Sequence, residues 1–177
     1  MKKINWILLL IIAMCSETYC QEKNVYNDDY IVKIGDKAPD FTIKEAGGKS
    51  YKLSDLKGKV VMLQFTASWC SVCRTEMPFI ESEIWKEKKP AELIVIGIDR
   101  DEPLEKVIKF KKDSGITYPL ALDPGAAIFS LYAEKEAGIT RNVIIDRSGK
   151  IIFLTRLYKR DEFDNMKRVI FNELNKK

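Results

Sequence analysis

Histidine occurs nowhere in the 177 residues of this chain. That absence removes Cys/His zinc sites, imidazole general bases and the serine–histidine and cysteine–histidine nucleophile pairs together. Cysteine is scarce: of four residues, Cys15 and Cys20 lie in or beside an N-terminal targeting segment, which leaves Cys70 and Cys73 for the folded part. A long block of one charge sign is also missing. The 30 basic and 26 acidic residues are dispersed, so the formal charge of +4 reads as a solvated surface, and no nucleic-acid partner is expected. Internal repeats and low-complexity segments are lacking.

The N-terminus carries two lysines, then an apolar stretch from Ile4 to Met14 broken only by Asn5, then small and polar residues. This is a signal-peptide layout over residues 1–20, well short of the ~20 apolar residues of a membrane-spanning helix. Its end has two competing readings. One is a lipoprotein-type signal with a lipid anchor at Cys15, although Met14 fits poorly before it; the other is cleavage after Cys20. Export to the periplasm or cell envelope is expected either way. Residues 21–33 read as a polar, mobile lead-in, and residues 34–177 as one domain, because 46% hydrophobic content over this length supports a single core.

Within that domain, short alternating patterns around Phe41–Ile43 and Tyr51–Leu53, separated by Gly47-Gly48, predict a hairpin. "KVVMLQFTA" reads as a strand buried on both faces, and a helix follows from the cysteines towards Pro90, kinked at Pro78. A second buried strand, "ELIVIGID", precedes a helix opened by Pro103 and closed by Gly115. Then come extended "TYPLALD", a short helix over 126–138, strands "NVIID" and "KIIFLTRLY", and a last helix with Phe163, Met166, Ile170 and Leu174 on one face. Strands alternating with helices give an α/β sandwich. Met62, Met77 and Met166 read as core fillers. Asp99, Asp101 and Asp146 read as carboxylates that cap or turn.

The chemistry centres on "TASWCSVCRTEMP", residues 66–78. A disulfide over two intervening residues closes almost no loop and is a poor staple, so a redox role explains the pair better. At a strand-to-helix junction the unpaired amides and the helix dipole favour thiolate over thiol, and the first cysteine of such a motif has its pKa lowered from ~8.5 to ~7 or below. Cys70 is then the nucleophile, and Cys73, one turn along, resolves the mixed disulfide. A tetrahedral zinc site would need two further ligands that the domain does not supply; a two-coordinate copper(I) site remains open.

These segments, with "GDKAPDFTI" and "GITRNVIIDRSGKII", resemble the TlpA/ResA-like branch of thioredoxin-fold thiol-disulfide oxidoreductases, within the wider AhpC/TSA–Redoxin-like superfamily. The resemblance implies a thioredoxin fold, a central mixed β-sheet with helices on both faces and an N-terminal hairpin extension. It implies a redox-active Cys70–Cys73 disulfide, no dissociable cofactor, cysteine-containing client proteins, an upstream thiol donor of the kind embedded in membranes, and a place in cytochrome c maturation or similar work. Trp69 matches the active-site motif, Pro78 the helix-bending proline, and Glu76 an acidic position that manages protons near the buried thiol. Ile139 and Thr140 fall in the client-binding loop.

Two departures stand out. Gln64 occupies the place of the buried acid that thioredoxins carry six residues before the first cysteine, and Thr140 occupies the place of the family's cis-proline. A non-proline cis bond costs ~2.5–4 kcal/mol, so Ile139–Thr140 is expected to be trans. The same departure admits a peroxiredoxin-like rival, with Cys73 attacking peroxide and Arg141 nearby, although the threonine and proline of that motif are missing at Cys70 and Thr66. A third reading is a non-enzymatic binding module with Trp69, Ile139 and Thr140 as its contact patch.

Overall fold

Residues apolar on both faces of a strand need cover on both sides, and Val60–Thr66 (β3), buried at all seven positions, sits in the middle of a five-stranded sheet. The computed structural model describes residues 29–87 and 92–176, so the targeting segment with Cys15 and Cys20 lies outside the described residues. Leu93–Arg100 (β4) pairs parallel with β3, and Leu120–Asp123 (β5) parallel with β4. On the other side Arg141–Ile145 (β6) is antiparallel to β3, and Ile151–Arg156 (β7) antiparallel to β6. The hairpin of Thr42–Lys44 (β1) and Ser50–Lys52 (β2) turns through Gly47-Gly48, with Gly48 at φ +91°. It hooks onto the sheet edge, where the Ala46 amide donates to the Leu120 carbonyl at 2.8 Å.

Period-two alternation along β3 divides the core. Val60 and Met62 face the helices Ser71–Ile80 (α1), Leu104–Ser114 (α2) and Arg160–Asn175 (α3), packing with Met77, Ile80, Val107 and Phe110. Phe163, Met166, Ile170 and Leu174 line the buried stripe of α3, as their spacing predicts, and all three expected core methionines are buried. Val61, Leu63 and Phe65 face the opposite layer, built from Ile43, Phe129 and Tyr132. The α2 helix starts after Pro103 and stops at Gly115, which takes φ +69°.

Three expectations are corrected. The single helix over 126–138 is replaced by two 3-10 turns, Pro124–Ala126 and Phe129–Leu131, because Asp123 accepts the amides of Ile128 and Phe129 and holds the chain in tight turns. The active-site helix does not run on to Pro90 in α geometry. Pro78 has no amide for the Arg74 carbonyl, and after Ile80 the chain passes into a π-helical turn, Glu81–Trp85. The described end of the lead-in is packed, and the fold begins before residue 34: Tyr30 is buried, pairs with Ala133, and donates its hydroxyl to the Thr155 carbonyl at 2.7 Å.

Gly97 shows how tightly β4 and β5 approach. A Cβ there would meet Leu120 Cδ2 at 2.3 Å, so Gly97→Ala is expected to destabilise the protein by about 1–3 kcal/mol, read as a lower urea midpoint with unchanged slope.

Candidate active site

β3 delivers the chain to the carboxyl end of the sheet, where Ala67 is buried and the Cys70 amide closes a turn onto the Ala67 carbonyl at 3.0 Å. Cys70 is the N-cap of α1, with extended backbone, and its Sγ accepts the Cys73 amide at 3.1 Å. An amide aimed at this sulfur stabilises it most when it is charged. The two sulfurs are joined as a disulfide, with Cα atoms 5.3 Å apart. Access is unequal. Cys73 is 0% exposed and Cys70 6%, so of the two residues only the first reaches the surface. Trp69 stands beside it at 61% exposure.

The expected client-loop residues come to this point and are mostly inside. Ile139 and Thr140 are buried, so Trp69 is the member of the predicted patch that projects from the surface. Thr140 Oγ1 lies 3.2 Å from Cys70 Sγ and 3.4 Å from Cys73 Sγ, and its carbonyl accepts the Leu157 amide. No cis peptide bond occurs among the described residues, so Ile139–Thr140 is trans as expected.

Beneath α1 lies a buried polar network. Glu76 is buried, and its Oε1 accepts Asn142 Nδ2 at 2.7 Å while Oε2 accepts Gln64 Nε2 at 3.4 Å. Gln64 Oε1 in turn accepts the Tyr118 hydroxyl at 2.8 Å, and Asn142 Nδ2 also donates to Thr155 Oγ1 at 2.9 Å. Burial pushes the Glu76 carboxyl up to about 7, and the two amide donors only partly oppose it. Gln64 therefore sits next to an acid that titrates near neutrality, although it cannot titrate itself. Asn142, Tyr118 and Thr155 are functional neighbours that the sequence reading missed. The one signal was a polar asparagine inside the apolar run "NVIID".

A second acidic group supports the loop before Trp69. Glu102 accepts the Ser68 amide at 2.5 Å and the Ser68 hydroxyl at 2.7 Å. Burial works against its ionisation, but Lys106 at 2.7 Å and the Ser68 donors outweigh it and hold the carboxyl below its ordinary range. Asp99, paired with Thr66 across β3 and β4, is the exception among the carboxylates read as caps. It is fully buried and neither oxygen has a donor, and burial, reinforced by the Glu102 charge, pushes it up to about 8. Asp101 and Asp146 do cap turns, accepting the amides of Gly125 and Ser148.

The chain has relatives among known proteins. Residues 33–170 match the Redoxin family. The chain belongs to that family. It is 30% identical over 146 residues to the thiol-disulfide oxidoreductase ResA of a Bacillus cereus strain, covering 82% of this chain and 83% of that one. A solution structure of a candidate protein disulfide isomerase from Bacteroides thetaiotaomicron is 62% identical, with a TM-score of 0.81 over 84% of this chain and 94% of that one. A crystal structure of a candidate thiol:disulfide interchange protein DsbE from Chlorobium tepidum is 28% identical, with a TM-score of 0.72, over 81% of this chain and 99% of that one. This redoxin has the thioredoxin fold and is a thiol-disulfide oxidoreductase acting through Cys70 and Cys73.

The peroxiredoxin-like rival finds little support in this redoxin. Cys73 is sealed from solvent and bridged to Cys70. The Arg141 guanidinium, which would have to approach the thiol, lies over the Tyr30 ring at 4.5 Å, with its Nε donating to the Gly138 carbonyl.

Proposed function

We propose that this redoxin is an exported exchanger of reductive poise, working on the disulfides of cysteine-bearing client proteins. The observation that carries the reading is the unequal exposure of the two cysteines, Cys70 at the surface and Cys73 sealed behind it. The Cys70 thiolate attacks one sulfur of a client disulfide; the client S–S bond breaks, a Cys70–client bond forms, and the other client sulfur leaves as thiolate and takes a proton from water. Cys73 then gives up its proton, for which the Glu76 carboxylate three residues further along α1 is the acceptor, directly or through water. The Cys73 thiolate attacks Cys70 Sγ, the Cys70–Cys73 bond forms as the mixed disulfide breaks, and the second client sulfur leaves as thiolate and takes the proton from Glu76 or water, so that the client departs as a dithiol. Two electrons have moved, and no dissociable cofactor is called for. An upstream thiol donor restores the pair.

Trp69 offers the apolar contact for a client beside Cys70, while the backbone edge at Ile139–Thr140 offers a place for an extended segment. The absence of histidine between the cysteines favours the reductive direction, and the resemblance to the TlpA/ResA-like branch, together with the signal-like N-terminus, favours an envelope location with clients of the cytochrome c maturation type. Among the described residues no helix is long and apolar enough to cross a membrane. The N-terminal segment has two alternative outcomes in this reading: a lipid on Cys15 that tethers the protein to the envelope, or cleavage after Cys20 that releases it in soluble form.

The test is Cys73→Ser, recovered from the native compartment. Client proteins with their own cysteines should stay bound through Cys70 and be released by dithiothreitol. Rapid consumption of peroxide by Cys73 in a Cys70→Ser protein would establish the peroxidase instead. Copper(I) held tightly by both sulfurs without turnover would establish a metal carrier.

A further inference from the structure

We infer that Thr140 is a catalytic residue: its hydroxyl is the hydrogen-bond donor that holds negative charge first on Cys70 and then on Cys73. The inference rests on the exchange reading above and names a component of the same site. A buried hydroxyl has one proton to donate and needs an acceptor. Thr140 is 4% exposed, and the partners of its Oγ1 among the described residues are the two cysteine sulfurs, at 3.2 and 3.4 Å. Its own carbonyl accepts the Leu157 amide, which anchors the backbone just before β6.

The sulfurs of a disulfide accept hydrogen bonds weakly, so in the oxidised protein this hydroxyl is poorly satisfied. Reduction changes that. The Cys70 thiolate then receives two donors, the Cys73 amide already at 3.1 Å and the Thr140 hydroxyl, and hydrogen bonds to an ionised partner are roughly twice as strong as neutral ones. Stabilising the charged form lowers the pH at which the thiol ionises and raises the fraction of nucleophile at neutral pH. In the resolving step the charge is on Cys73, which attacks Cys70 Sγ. The same hydroxyl reaches that sulfur by rotating about its Cβ–Oγ bond, with no movement of the backbone. One donor near-equidistant from both sulfurs thus follows the charge across the bond that opens and closes.

The test uses Thr140→Val, which keeps the shape and removes the donor, with Thr140→Ser as the conservative rescue. Reduced protein is alkylated with iodoacetamide across pH, and Cys70 modification is followed by mass spectrometry. The surrounding titratable and charged groups are Cys73 and Glu76 of α1, Asp99 of β4, Glu102 and Lys106 beyond it, Arg141 of β6 and Arg156 of β7; the substitutions change none of them. Thr140→Val should raise the Cys70 midpoint by about one pH unit and slow exchange with glutathione disulfide at pH 7 by about two- to fivefold, and Thr140→Ser should restore both. An unchanged midpoint in Thr140→Val, or an equal shift in Thr140→Ser, overturns the assignment while leaving exchange intact. Wild-type protein that fails to exchange with glutathione disulfide would instead overturn the underlying reading. If Thr140→Val does not fold, Thr140→Ala against Thr140→Ser gives the same comparison.

Discussion

Cys70→Ser should lower disulfide exchange by ~10³-fold or more, to the background rate, because it removes the sulfur of the one cysteine that reaches the surface. The fold should hardly notice. A crosslink closing four residues stabilises by at most about 2 kcal/mol in the chain-entropy picture, and the core on both sides of the sheet does not depend on it. Insulin-disulfide reduction measured beside a urea melt separates the two. A variant that keeps its activity, or one that loses it only by unfolding, would contradict the assignment of Cys70 as nucleophile.

Stability that falls as pH rises is the second large effect, and it comes from Glu76. Its folded pKa of about 7 lies above its ordinary value of 4.5, so between these values the native state holds a proton that the unfolded state has released. The linkage slope is therefore negative in that window, and above it a penalty on the order of 3 kcal/mol has accumulated. Asp99, raised from 3.8 to about 8 by burial and by Glu102, has the same sign and extends the decline towards pH 8. Urea midpoints at pH 5 and pH 8 should differ clearly in the wild type. Glu76→Gln should remove its share of the slope, leaving the share of Asp99. A protein more stable at pH 8 than at pH 5 would mean that neither acid is raised above its ordinary range in the native state, and Glu76 would be too weak a base to take the Cys73 proton.

The pH behaviour has a functional side as well. An acid that titrates near neutrality can take up the proton of the resolving thiol at one step and give it back at another. An ordinary exposed glutamate would stay ionised throughout. The cost in stability and the usefulness in exchange have one origin, the burial of a carboxyl beneath α1 with amides as its partners.

Much of this was readable from short stretches of chain. The buried run at Val60–Thr66, the hairpin at Gly47-Gly48, the α2 boundaries at Pro103 and Gly115, and the apolar stripe of α3 are all present, because each rests on neighbours within a few residues. The failures have a common cause. Residues 126–138 read as a helix, but Asp123 captures two amides there and the chain forms 3-10 turns. Tyr30 read as part of a mobile lead-in, but its hydroxyl finds Thr155, 125 residues away.

Local order along the chain determined the reacting pair itself. Two cysteines three apart at the mouth of a helix must share a face and an N-terminus, whatever surrounds them. Only the tertiary structure decided which cysteine lies nearer the surface, which carboxyl is buried beneath α1, and which hydroxyl lies against both sulfurs. Asn142 reaches Glu76 across 66 positions and Thr140 reaches Cys70 across 70, and the pairing of β6 against β3 brings them there. Hydrogen bonds across such separations leave no period in the sequence, because the sheet, and not the spacing of residues, sets the distance.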